Sequence, residues 1–186
     1  MKRTAAQERS VIELITARDG VGVFPTDTLY GMVGSALSKR AVHRIYRLRK
    51  RNPRKPMVIL IGGMSDLLRF GVYINGLTRK LLRTLWPGPT SVILPCRSKK
   101  FAYLHRGTGT IAFRLPKGKK LLAFLGRTGP LVAPSANPEG RPPATTISEA
   151  KEYFGDWVDF YVAAGRLDRP PSRLIEIQNG RLVRLR

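Results

Sequence analysis

The stretch GPLVAPSANPEGRPP, residues 129–143, carries the most informative local pattern in the chain. Leu131, Val132 and Ala133 form a short apolar run that reads as the end of a buried strand. The run empties into Pro134-Ser135-Ala136-Asn137, a polar turn with a hydroxyl and an amide two residues apart. Gly140, Pro142 and Pro143 then make a rigid exit. Small side chains let a backbone approach a ligand closely, and Ser and Asn supply a donor and acceptors there. Open α/β sheets bind ligands in loops at the carboxyl ends of their strands. A Pro/Gly-rich connector without chemistry fits the same letters, so the rest of the chain must separate the two readings.

Outward from this turn, helix and strand signals alternate, an α/β pattern. Val11, Ile12, Leu14 and Ile15 predict a helix over residues 4–18, ended near Asp19-Gly20. Val21 to Phe24 reads as a strand. After Pro25 comes Thr26-Asp27-Thr28 and then Leu29-Tyr30-Gly31, either a second ligand loop or a helix N-cap. Ser38 to Arg51 is predicted helical, with Ser38 as N-cap and Ala41, Val42, Ile45 and Leu48 on one face. Its tail, Arg47, Arg49, Lys50 and Arg51, runs into Asn52-Pro53-Arg54-Lys55-Pro56. Cations there suit the helix dipole, and on a Pro-stiffened turn they also make a phosphate clamp.

Met57 to Ile61 is a predicted strand, Leu77 to Trp86 a helix broken at Pro87-Gly88-Pro89, and Thr90 to Leu94 a strand. In the strand over 110–115, Arg114 falls out of phase with Ile111 and Phe113 and faces the other side. It reads as an anion fork or as a solvated strand residue. Lys119 to Gly126 and Ser148 to Phe154 are predicted helices, the latter capped by Ser148, and Phe160 to Val162 a strand. Segments 172–177 and 181–184 flank Asn179-Gly180, a hairpin signal. No internal repeat or linker divides the chain, so 1–186 is expected to be one domain.

Composition narrows the function classes. The net charge of +22, from 34 Lys+Arg against 12 Asp+Glu, implies polyanionic company such as nucleotide, RNA or an acidic surface. A lone cysteine, Cys96, and two histidines, His43 and His105, give no disulfide and no Cys/His metal cluster, and fit a reduced cytoplasmic setting. No signal-peptide core and no run long enough to span a bilayer is expected. There is no GxxxxGK[ST] loop, no G-x-G-x-x-G after a strand, no G-x-S-x-G elbow and no evident glycosidase carboxylate pair. What remains is a set of loops bearing hydroxyls, an amide and cations. Such loops suit a phosphate-bearing ligand and the stabilisation of charge on phosphoryl oxygens.

PTDTLYG at 25–31, KRNPRKP at 50–56, WPGP at 86–89, IAFRLP at 111–116 and APSANPEGRPPAT at 133–145 occur in this order, with PSRLIEI and RLVRLR around the final hairpin. Together they resemble the YrdC family, the TsaC-type threonylcarbamoyl-AMP synthases, over nearly the whole chain. The resemblance implies a single-domain, strongly twisted sheet of mixed parallel and antiparallel strands, flanked by helices, with a deep basic cavity. It implies a nucleotidyltransferase that joins L-threonine, bicarbonate or CO₂, and ATP into L-threonylcarbamoyladenylate and pyrophosphate. Mg²⁺ would accompany ATP. The product would serve threonylcarbamoyladenosine modification of tRNA, with the tRNA threonylcarbamoyl-transfer machinery and tRNA itself as further partners, in the cytoplasm and away from membranes.

The family's catalytic tetrad, a Lys-x-Arg pair with the Ser and Asn of the Ser-Ala-Asn loop, falls on Arg49, Arg51, Ser135 and Asn137. Arg49 departs from the family's lysine, replacing a point charge with a planar fork. The resemblance further assigns Arg51, Lys55, Thr110, Asn137, Thr145 and Arg184 to ATP, and Thr28, Arg114, Ser135 and Ser172 to threonine, with Arg114 on its carboxylate. Ser172-Arg173 resembles the short bacterial form, and the C-terminal domain of longer relatives is not expected. A threonine carbamate attacking a polyphosphate is one anion approaching another, so a cation-lined site without histidine is chemically reasonable. Two other readings stand beside this one. One is a non-catalytic binder of double-stranded RNA or tRNA, favoured by the charge. The other is a carbamoyltransferase of the hydrogenase-maturation type, whose acylphosphatase-like and zinc modules this sequence lacks.

Overall fold

In the computed structural model, residues 5–178 and 180–185 are described. Helix α1 (Ala5–Ala17) leads into strands β1 (Gly22–Pro25) and β2 (Tyr30–Ser35), and α2 (Lys39–Leu48) into β3 (Ile59–Leu60). A 3₁₀ segment (Met64–Phe70) precedes α3 (Gly76–Leu85), β4 (Thr90–Pro95), the single turn α4 (Ala102–His105) and β5 (Thr110–Arg114). Then come α5 (Lys119–Thr128), β6 (Leu131–Val132), α6 (Ile147–Phe154), β7 (Phe160–Tyr161), β8 (Arg173–Gln178) and β9 (Arg181–Arg184).

The strands form one mixed sheet in the order β7-β1-β2-β6-β3-β5-β4-β8-β9. β1–β7, β3–β5 and β4–β8 pair parallel; the other neighbours are antiparallel. Because strand side chains alternate, the sheet divides the apolar residues between two cores. Val23, Met32 and Ile59 pack in one, with Ile45 of α2 and Leu82 of α3. Phe24, Val33, Leu60 and Leu131 pack in the other, with Val11 and Ile15 of α1 and Phe124 of α5. Phe24 stacks on Phe124 at 4.3 Å between ring centroids. At Gly22 an added Cβ would stand 2.4 Å from Phe160, so only glycine lets β7 close on β1.

Several expectations change in detail. Thr26-Asp27-Thr28 begins no helix. Thr26 Oγ1 accepts the Leu29 N–H and donates to the Leu29 carbonyl, closing a tight turn between two antiparallel strands. Helix α6 is capped not by Ser148 but by Thr146, whose hydroxyl accepts the Glu149 N–H. Strand β3 is shorter than 57–61, and α2 ends at Leu48 with Arg49 as its C-cap. β8 and β9 pair as the hairpin expectation requires, while Asn179 itself lies outside the described residues.

Candidate functional site

The central strands present a mixed apolar and polar face. Leu60 pairs with Arg114 in register, Ile93 with Ala112, and Ser91 with Leu174. This face belongs to the side that α1 and α5 cover further along the sheet, where Leu60 joins their core. Over β3, β5, β4 and β8 the same face instead floors a cavity of about 380 Å³. Its walls are the 26–31 turn, the end of α2, the Thr108–Thr110 loop, the Ala133–Ser135 segment and Pro171-Ser172. Among the described residues, Arg49, Arg51 and Arg114 line it, and no carboxylate does.

Of the residues singled out in sequence, Thr28, Arg49, Arg51, Thr110, Arg114, Ser135 and Ser172 all reach this cavity. Lys55, Asn137, Thr145 and Arg184 are not among its lining. The Thr145 hydroxyl is engaged by the Glu149 carboxylate at 3.0 Å. Arg184 is exposed on β9, opposite Ile175. Asn137 stands just behind the wall, where its amide donates to the carbonyls of Pro138 and Arg141 and sets the turn.

Arg49 joins the two motifs that the sequence made prominent. It is 3 % exposed. Its Nε donates to the Asn137 carbonyl at 2.8 Å, and Nη2 donates to Asn137 Oδ1 at 3.3 Å and to Ser135 Oγ at 3.4 Å. Nη1 is buried without a hydrogen-bond partner. Burial first, and then the neighbouring Arg51 guanidinium, pull the Arg49 pKa down to about 10, which leaves it cationic at neutral pH. A buried cation with a spare donor beside a serine hydroxyl is a ready anion site.

Arg114 is 4 % exposed, which excludes the solvated-strand reading. It pairs with Asp27, donates from Nη1 to Thr28 Oγ1 at 3.1 Å and from Nε to the Gly88 carbonyl at 3.3 Å. Asp27 also accepts the Lys117 N–H at 3.0 Å. The Pro-Gly-Pro break and the strand ends thus hold Arg114 flat across the cavity floor. Ser172 Oγ lies 2.9 Å from Ser91 Oγ beneath it. Sequence reasoning passed over Asp27, although an acid between two threonines in so basic a chain was a usable signal.

The 50–56 loop is tied from several sides. Arg51 donates from Nε to the Lys55 carbonyl at 3.2 Å and from Nη2 to the Pro56 carbonyl at 2.8 Å. Tyr46 donates to the Lys55 carbonyl at 2.9 Å. Lys55 itself turns to Glu139, its Nζ 2.7 Å from Oε1. Glu139 was another residue the sequence reading passed over. Among the described residues, no three His, Cys, Asp or Glu side chains gather as a metal site. No described helix is long and apolar enough to cross a membrane.

Comparison with known proteins gives the chain its family. A sequence model of the Sua5/YciO/YrdC family, described as "Telomere recombination", matches residues 15–186. A protein of Marinobacter nauticus named "Threonylcarbamoyl-AMP synthase" is 33 % identical, over 94 % of this chain and 96 % of its own. One of Cellvibrio japonicus with the same name is 28 % identical, over 89 % and 88 %. The crystal structure of Pyrococcus abyssi Sua5 complexed with L-threonine superposes with a TM-score of 0.89 at 27 % identity. It covers all of this chain, which spans 55 % of that longer protein. Escherichia coli YciO, at 23 % identity and a TM-score of 0.85, shares the fold.

Proposed function

The chain belongs to the Sua5/YciO/YrdC family, and on that premise we propose that it is an L-threonylcarbamoyladenylate synthase. L-Threonine, bicarbonate and ATP would give threonylcarbamoyl-AMP, pyrophosphate and water, in the cytoplasm and in service of tRNA threonylcarbamoylation. The observation that carries this reading is the cavity with three guanidinium groups, no carboxylate, and a spare buried donor on Arg49.

The division of labour we propose is the one the family resemblance implies, and the residues lining the cavity accommodate it. Arg114, fixed flat by Asp27 and Thr28, offers its remaining donors to the threonine carboxylate, with Ser172 alongside. Arg49 and Arg51, which also line the cavity, would take the incoming polyphosphate, and Thr110 the nucleotide. Ser135, between them, orients the group where carbamate oxygen and α-phosphorus meet. Asn137 acts through Arg49, which it holds in place. Catalysis here is approximation and charge neutralisation. The carbamate oxygen forms a bond to the α-phosphorus while the bond to the pyrophosphate oxygen breaks, and the leaving anion takes that electron pair. Among the described residues no histidine or carboxylate lines the cavity to move protons, and none is needed in that displacement.

The lining offers hydroxyls and carbonyls, and among the described residues no acidic cluster gathers to hold a metal unaided. Mg²⁺ would therefore enter chelated by ATP, where it supplies charge screening of the phosphates. The charge of +22 supports a second reading, a double-stranded RNA or tRNA binder without catalysis, and equally supports tRNA as a partner of the enzyme. Titration calorimetry separates the two. A synthase binds ATP saturably and more tightly when threonine is present. A pure RNA binder shows neither effect.

A further inference from the structure

Glu139 lies in the Ser-Ala-Asn loop yet makes its contacts with the cation loop. Its main-chain N–H donates to the Arg49 carbonyl at 2.7 Å. One carboxylate oxygen accepts the Asn52 N–H, and the other accepts from Lys55 Nζ at 2.7 Å. These contacts bracket Arg51, which itself folds back onto the carbonyls of Lys55 and Pro56. Lys50, within the same turn, holds a left-handed φ of 47° that a non-glycine residue adopts only when its surroundings enforce it. No other acid occurs between Asp66 and Glu149.

We propose that Glu139 is a positioning residue for the nucleotide: it latches the cation loop to the Ser-Ala-Asn loop, fixes Arg51 at the cavity wall, and takes the Lys55 ammonium out of the phosphate site. The inference rests on the synthase reading above. Two loops that each bear cations repel one another, and a single carboxylate between them is the cheapest way to hold both at one distance. The loop's own geometry then needs no ligand to form, so a polyphosphate meets Arg49 and Arg51 already arranged. The Lys55 bond, followed by the Asn52 N–H, holds the Glu139 carboxyl down to about 2, so the latch stays charged throughout the working pH range.

The test uses the whole chain, with Kd for a non-hydrolysable ATP analogue by calorimetry, Kd for L-threonine, and amide exchange at Asn52 by NMR. Glu139→Ala removes the latch. Glu139→Gln keeps a carbonyl acceptor for Asn52 and loses only the Lys55 pair. Losing a charge-assisted bond predicts that Glu139→Ala weakens the analogue about tenfold, with threonine affinity within about twofold of wild type. Asn52 exchange accelerates in that variant, and Glu139→Gln, which keeps the Asn52 acceptor without the charge, recovers only part of both effects. Unchanged analogue affinity in Glu139→Ala overturns the latch while leaving the synthase reading intact. An equal loss of analogue and threonine affinity, or a Glu139→Gln variant no better than Glu139→Ala, also overturns it. Wild-type protein that binds no analogue overturns the synthase reading and the latch together.

Discussion

Arg49 and Asn137 are joined twice. The guanidinium Nε reaches the asparagine carbonyl at 2.8 Å and Nη2 reaches its side-chain oxygen at 3.3 Å. The basic end of α2 and the Ser-Ala-Asn turn are therefore one structural unit. Lysine carries its three donors on one nitrogen and cannot reproduce the planar spread of Nε and Nη2 that makes these contacts. Arg49→Lys should lower stability by about 1–2 kcal/mol, because buried acceptors lose donors, while keeping turnover within about tenfold of wild type. Arg49→Ala should lose at least about a hundredfold in kcat/KM, as the removal of a charged contact to a phosphate predicts. Urea unfolding and steady-state kinetics on both variants check this.

Arg114 and Asp27 are a buried pair, with side chains 5 % and 13 % exposed. Removing one partner of such a pair strands a charge and costs about 3–5 kcal/mol. Asp27→Ala should unfold at much lower urea and should lose threonine binding, although Asp27 is not among the residues lining the cavity. The double variant Asp27→Ala/Arg114→Ala should be more stable than the sum of the two single losses allows.

The alternation of apolar residues made the helices and most strands legible, since period is set by which face is buried. Helix α2, with Ser38 accepting the Ala41 N–H, was readable from its cap and its apolar stripe. Strand β2 was not, because Tyr30-Gly-Met-Val-Gly-Ser35 is buried on both faces and shows no alternation. The candidate anion-binding residues stood out because cations and hydroxyls recur in loops. Their orienting partners, Asp27 and Glu139, did not. A carboxylate that holds an arginine or a loop is defined by contacts over 80 residues away in sequence, and local spacing carries no trace of them. Thr145 is a further case, a hydroxyl in a recognisable motif whose contact with Glu149 the local pattern does not announce.

Acid should loosen the cation loop in a predictable window. The Glu139 carboxyl sits at about 2 in the folded protein against an ordinary 4.5. A depressed carboxylate contributes stability that is fully present above the ordinary value and is lost as pH falls from about 4.5 toward 2. Glu139→Gln should therefore flatten the stability–pH curve in that window, and between pH 6 and 8 it should lower the curve without changing its slope. Chemical denaturation at a series of pH values reads this directly.

Thr145 should matter through helix α6 more than through the cavity, because its hydroxyl and N–H both contact Glu149. Thr145→Val should cost about 1 kcal/mol of stability, the typical value of such a bond. Its effect on the KM for ATP should be far below that of Arg51→Ala, for which most turnover should vanish. A Thr145→Val enzyme with normal stability and a KM raised as much as that of Arg51→Ala would show a direct nucleotide contact instead.

Pyrophosphate release from ATP tests the central claim most directly, measured on purified protein with Mg²⁺ and bicarbonate, with and without L-threonine. A synthase releases pyrophosphate only when threonine and bicarbonate are both present, and serine does not replace threonine. Release that is indifferent to threonine, or no release from protein that still binds RNA tightly, would contradict the account.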